Sequence, residues 1–211
     1  KIKNHGIEIL HNSPGVGKNL QDHIMMRPVY KVKNIETLNK KINSMFGKIL
    51  IAMEYIFFRK GPMTMGASQL CGFAKSDSSK ETPNLQLHIQ PISTDKLGGS
   101  NLHNFDAFTP TVANIRPTSR GEISISSADS RDNPKIKMNY LSTQEDRKVA
   151  ADGIRLIRKI VMETNEFKKF EPEEFRPGRN FQSDEEIVKA SSHFAQTIFH
   201  PVGTCKMGND D

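Results

Sequence analysis

A chain of 211 residues, 36% of them hydrophobic, is long enough for one ordinary domain or two small ones with a real core, which excludes a disordered polymer. Lys and Arg outnumber Asp and Glu by 30 to 24, but the cations are spread through KIKNHG, KVKN, LNKKIN, FFRKG and EFKKF with acids between them. That is a solvated surface rather than a nucleic-acid stripe, and no nucleic-acid partner is expected. The two cysteines, Cys71 and Cys205, lie too far apart in sequence for a disulfide framework or a zinc cluster. They point to a reducing, cytoplasmic setting or to buried thiols, and no metal is expected.

The opening KIKNHGIEIL is no signal peptide, and NSPGVGKNLQDH follows as a turn-rich loop ending in the polar run Asn19 to His23. A short strand is expected around Arg27 to Val32. From Ile35 to Arg59 the apolar positions Leu38, Ile42, Met45, Phe46, Ile49, Leu50, Met53, Ile56 and Phe57 recur at three and four, which predicts one long amphipathic helix stopped by Gly61 and Pro62. Its run ILIAMEYIFF, at 49–58, is about half the roughly 20 residues that span a bilayer and carries Glu54. Its apolar face reads as core, with an interfacial helix as the alternative, and membrane association is not indicated.

Strand-like runs come next: QLCGFAKS, NLQLHIQPIS, FTPTVANIRP, GEISISS and KIKMNYL, separated by turn residues that include Pro83, Gly98, Gly99, Pro117 and the group Asp132, Asn133, Pro134. Ser142 with Glu145 reads as a capping box opening a helix whose stripe is Val149, Ala150, Ile154, Ile157 and Val161. Ser183 with Glu186 opens another, running to about Phe194. The sum is an α+β fold, a mixed or antiparallel sheet of loop-connected strands backed by helices. Gly15-Val16-Gly17 lacks the third glycine and the following helix of a dinucleotide-binding turn.

Near the end, TIFHPVGTCKMG sets His200 between apolar residues and a glycine-studded turn, which places the imidazole at a strand end facing inward. A neutral, partly buried histidine there is able to take a proton, and the plain alternative is a core histidine bonded to a carbonyl. A Cys205–His200 nucleophile pair is disfavoured, because an odd offset in extended chain puts the two on opposite faces.

The phrase FHPVGTCKMG resembles the H-x-x-G-T-x-x-M-G segment of the glucose-methanol-choline (GMC) oxidoreductases, and PGVGKNLQDH resembles their P-G-V-G-x-N-L-Q-D-H segment, in the same order. Between them, RPTSRGEISISSADSRDNPKIKMNYLSTQEDRKVAADGIRLIRKI and GPMTMGASQLCGFAKS are similar to the choline- and alcohol-dehydrogenase branch. The resemblance implies an FAD-dependent oxidation of a primary alcohol to an aldehyde. It makes His200 the proton acceptor, Phe199 a substrate contact with core packing as its alternative, and Asn19 and His23 cofactor-side residues with turn closure as theirs. It divides the chain into a flavin-domain edge (1–27), a substrate-binding domain (28–196) and the start of a closing catalytic segment (197–211). The chain therefore reads as a fragment lacking the family's GxGxxG start and its second catalytic His or Asn, and alone it is expected neither to hold FAD nor to oxidise alcohols. Expected partners are a small alcohol and an electron acceptor such as a quinone or oxygen. The runner-up is a non-catalytic interaction or scaffold module that keeps the fold. With no Trp and only Tyr30, Tyr55 and Tyr140 for a cation cage, an uncharged alcohol is expected to be preferred to choline. Neither His88 nor His103 is given a role.

Overall fold

The computed structural model describes residues 2–66, 68–95 and 101–208; the expected turn at Gly98-Gly99 and the last residues, 209–211, lie outside them. Along the chain run β1 (Ile24–Met26), β2 (Val29–Lys31), α1 (Leu38–Asn43), α2 (Met45–Phe58), β3 (Leu70–Ala74), β4 (Leu85–Gln90) and β5 (Ala107–Asn114). There follow β6 (Glu122–Ser124), β7 (Lys135–Lys137), α3 (Gln144–Glu163), α4 (Asn165–Lys168), β8 (Glu173–Arg176), α5 (Asp184–Ser191) and β9 (Ala195–Thr197).

Seven strands form one antiparallel sheet, and β6–β7 is a separate hairpin. The sheet runs β3-β4-β5 and then forks: the far half of β5 pairs with β1, which carries β9, and its near half pairs with β2, which carries β8. The fork explains why the single strand expected over Arg27 to Val32 is two, with Pro28, which has no N–H for a ladder, between them. All eight residues of β5 are buried.

α3 lies across the sheet and supplies more of the core cluster than any other element. Val149, Ala150, Ile154, Ile157 and Val161 pack with Met26, Tyr30, Leu85, Phe108 and Val112. Its cap is Thr143, whose hydroxyl accepts from the Asp146 N–H at 3.2 Å, so the cap sits one residue after the expected Ser142, whose own N–H donates to Ser119 Oγ. The second capping box holds as read, with Ser183 and Glu186 exchanging both bonds, although the helix stops at Ser191 rather than Phe194. α3 is tied to β8 by Arg158, whose Nε and Nη2 each reach Glu174 at 2.9 Å.

The long helix over 35–59 is two, broken at Ser44, which has extended backbone and caps α2 by accepting from Gly47 N. The kink presses Gly47 against the Lys41 carbonyl so closely that any Cβ would collide with it. The expectation that this apolar face is core fails: no residue of α2 is buried. Nor is any helix long and apolar enough to cross a membrane among the described residues. The buried-thiol alternative fails too, since Cys71 and Cys205 are both free and exposed.

Candidate active site

Segments near the two ends of the described chain meet. Gln21 and Val202 exchange both backbone bonds at 2.9 Å, Gly17 N donates to Thr204 O, and Leu20 bridges to Gly121 at the start of the β6–β7 hairpin. Gly203 takes a positive φ of 96° directly under the Asn19 carbonyl, where a side chain would clash. Asn19, itself left-handed at φ 59°, donates to Gly203 O at 3.2 Å and accepts from Arg120 Nε at 3.0 Å. Its observed work is therefore turn closure.

Asp22 organises the corner above. It is 6% exposed, and its carboxylate accepts from the His200 N–H at 2.9 Å, the Thr197 hydroxyl at 2.5 Å and the Tyr140 hydroxyl. Burial works against this carboxylate, but the Thr197 and Tyr140 hydroxyls and the backbone N–H groups of His200 and His23 outweigh it and hold its titration below the usual range. Thr197 Oγ1 also accepts from Phe199 N at 2.9 Å, and Phe199 turns the chain through φ 64°. Nothing in the sequence singled out Tyr140 or Thr197 for this duty; the adjacency of Asp22 to His23 was the only available signal.

The corner brings together His23 and His200, 177 positions apart, with their Nδ1 atoms 3.2 Å from each other and their rings edge to face. They line an open groove of about 370 Å³ with Gln21, Arg116 and Arg120. His200 lies three residues beyond β9 and is exposed, not inward-facing; the core-histidine alternative goes with that correction. Phe199 is 66% exposed, so its core alternative fails as well. Burial, then repulsion from His200, depresses the titration of His23, against opposing help from Asp22 and from a bond to the Ile115 carbonyl.

His88 belongs to the same neighbourhood. On β4, Leu87 and Ile89 turn to the core and His88 to the opposite face. Its Nε2 is buried with no hydrogen-bond partner, and burial together with the charge of His200 lowers its titration. A lone histidine in an alternating strand carries no sign of this in sequence. Among the described residues no group of three or more His, Cys, Asp or Glu is placed to hold a metal.

Residues 117–211 match the family model described as GMC oxidoreductase. An alcohol dehydrogenase (acceptor) from Pseudomonas putida is 36% identical over the whole chain, and an oxygen-dependent choline dehydrogenase from Brucella anthropi 35% identical. The resemblance to the GMC oxidoreductases is thereby shown. The chain spans 38% of the length of each of these relatives. Among solved structures, a formate oxidase superposes with a TM-score of 0.84 at 25% identity over 96% of this chain and 40% of its own. An FAD-dependent oxidoreductase from Chaetomium thermophilum superposes with 0.79 at 17% identity over 96% of this chain and 41% of its own, a likeness of fold alone. The expected α+β sheet backed by helices is thus the fold of GMC oxidoreductases.

Proposed function

We propose that this chain is the substrate-side part of an FAD-dependent oxidoreductase that converts a primary alcohol to an aldehyde, with His200 as proton acceptor. The reading rests on the His23–His200 pair in its open groove. A groove lined by two imidazoles and by Arg116, with the unpartnered His88 Nε2 on the neighbouring strand, fits a ring that gains negative charge on reduction and an alcohol oxygen that loses its proton. FAD, when bound, supplies the acceptor for the hydride leaving the alcohol carbon.

The surroundings of His23 support this role for His200. His23 stays neutral because burial and its neighbour disfavour its charged form. With Nδ1 facing His200, the nearby Ile115 carbonyl favours a proton on the other ring nitrogen, and in this reading that nitrogen carries the single proton. His23 Nδ1 is then an acceptor, His200 Nδ1 carries the hydrogen between the rings, and His200 Nε2 holds a lone pair. That nitrogen takes the hydroxyl proton as hydride departs. Asp22 holds the His200 backbone, and His23 holds the ring.

In the complete protein, His200→Ala is expected to slow flavin reduction by roughly two to four orders of magnitude, the span for losing a positioned base. His23→Leu should slow it less and leave substrate affinity nearly unchanged, because it disturbs a tautomer rather than a contact. Stopped-flow reduction at the wild-type rate in His200→Ala would overturn the assignment.

An uncharged alcohol remains the preferred substrate. Tyr30 is fully buried and stacked on Phe108, and Tyr140 is bound to Asp22, so two of the three tyrosines are committed away from a cation cage. A choline preference of tenfold or more in kcat/KM, about 1.4 kcal/mol, over a neutral alcohol of similar size is the contrary result.

A further inference from the structure

At the other end of β1 sits a charge that no described residue compensates. Arg27 is 5% exposed, and its Nε is buried with no hydrogen-bond partner. Among the described residues it makes no ion pair; burial and the neighbouring Arg176 guanidinium both disfavour its charge. Arg176 itself is engaged, donating to Asp95 Oδ1 at 2.7 Å, and the same carboxylate oxygen meets His103 Nε2 at 3.2 Å. Arg27, Arg176 and Asp95 line a cavity of about 450 Å³ with Ser192, His193 and Gln196. Two guanidinium groups thus share one cavity with one carboxylate, already held by Arg176 and His103. A buried cation in that position is costly until an anion arrives, and a guanidinium fork is suited to a planar oxyanion.

From this arrangement we infer that the Arg27–Arg176 cavity is a binding site for a small oxyanion, a carboxylate before all. Its place gives it a further meaning. Ile24 and Met26 turn to the core, so His23 and Arg27 share the opposite face of the strand, four residues or about 13 Å apart. An oxyanion held by Arg27 lies on the same sheet face as the imidazole pair, either as a separate ion or as the far end of a hydroxy acid whose alcohol reaches His200. The second case rests on the function proposed above; the site itself does not.

The test uses the complete protein and sodium acetate and inorganic phosphate, with sodium chloride at equal ionic strength as reference. Acetate should raise the melting temperature saturably. Arg27→Met should raise it in chloride alone, by removing an unpaired buried charge, and should abolish the acetate response. A merely structural arginine gives the reverse: a lower melting temperature in chloride. No anion-specific rise in the wild type, an undiminished rise in Arg27→Met, or a variant that is destabilised or does not fold each overturns the site, because the guanidinium is then paired within the protein. Kinetics separate the two sources. Acetate competitive with the alcohol marks a carboxylate borne by the substrate, and non-competitive acetate marks a separate anion; a dead His200 assignment leaves the melting result standing.

Discussion

α2 and α3 look alike as sequence, each with apolar residues recurring at three and four, and they end on opposite sides of the solvent boundary. Ile154, Ile157 and Val161 of α3 are wholly buried, whereas in α2 Met45, Phe46, Ile56, Phe57 and Phe58 are each more than 60% exposed. The distinguishing feature is what lies between the apolar positions. In α3 they are separated by Arg147, Lys148, Asp152, Arg155, Arg158 and Lys159, so one stripe alone is apolar. In α2 the run Ile49-Leu50-Ile51-Ala52-Met53 is apolar on several sides, and the side left in solvent is apolar. Periodicity reports that a helix has a face to cover; it does not report what covers it.

The largest effect that sharpens this contrast is a cavity in α3. Ile157→Ala should cost about 2–5 kcal/mol, because a fully buried side chain is lost from a sheet-and-helix core and leaves a cavity. Denaturant unfolding reads it, and a loss below 1 kcal/mol would place the organising core elsewhere.

Next comes the start of α3. The Asp146 carboxylate is 3% exposed and accepts from Thr118 N at 2.9 Å, Ser119 N at 2.8 Å, Thr118 Oγ1 at 3.0 Å and Asn114 Nδ2 at 3.2 Å. Burial opposes its ionisation, but the bonds from Ser119 and Thr118 prevail and hold its titration below the ordinary value near 3.8. A carboxylate whose folded-state titration is depressed contributes stability above that ordinary value and loses it as pH falls toward the folded one. Unfolding free energy measured from pH 6 down to pH 3 should therefore fall less steeply in Asp146→Asn than in the wild type. The variant should also be less stable at pH 6 by about 1–3 kcal/mol, the scale for buried donors left without an acceptor. The α2 cap, Ser44, has no such support. Thr143→Ala at the α3 cap should cost about 0.5–2 kcal/mol, with Ser44→Ala at or below the lower end.

Local signals carried most of the fold into view. The stripe of α3, the Ser183–Glu186 box and the strands β3 to β7 were legible, because each follows from spacing and turn residues within ten or so positions. The fork at Pro28, the break at Ser44 and the short strands β8 and β9 were not. They are set by what the chain meets: β5 wide enough to serve two partners, Lys41 against Gly47, and β1 and β2 each needing an outer neighbour. The site divides in the same way. His200 stands out from its motif, but its outward orientation does not, since a strand end facing the core and one facing an open groove share the same sequence. The contact with His23 spans 177 positions and rests on Asp22, Tyr140 and Thr197, which no local pattern connects.

The smallest expected effect tests α2 itself. Ile49 is 49% exposed and Met53 47%, and neither belongs to the core, so Ile49→Ser and Met53→Ser remove little buried area from the described fold. Serine also costs a helix only a few tenths of a kcal/mol beyond an apolar residue. Unfolding of the 211-residue chain should shift by no more than about 0.5 kcal/mol in either variant, as for surface substitutions generally. The same pair in the complete protein provides the comparison. An equally small shift there leaves α2 with its apolar side in solvent. A loss above 1 kcal/mol per substitution instead makes α2 a second α3, whose cover lies in the part of the relatives' length that this chain does not span.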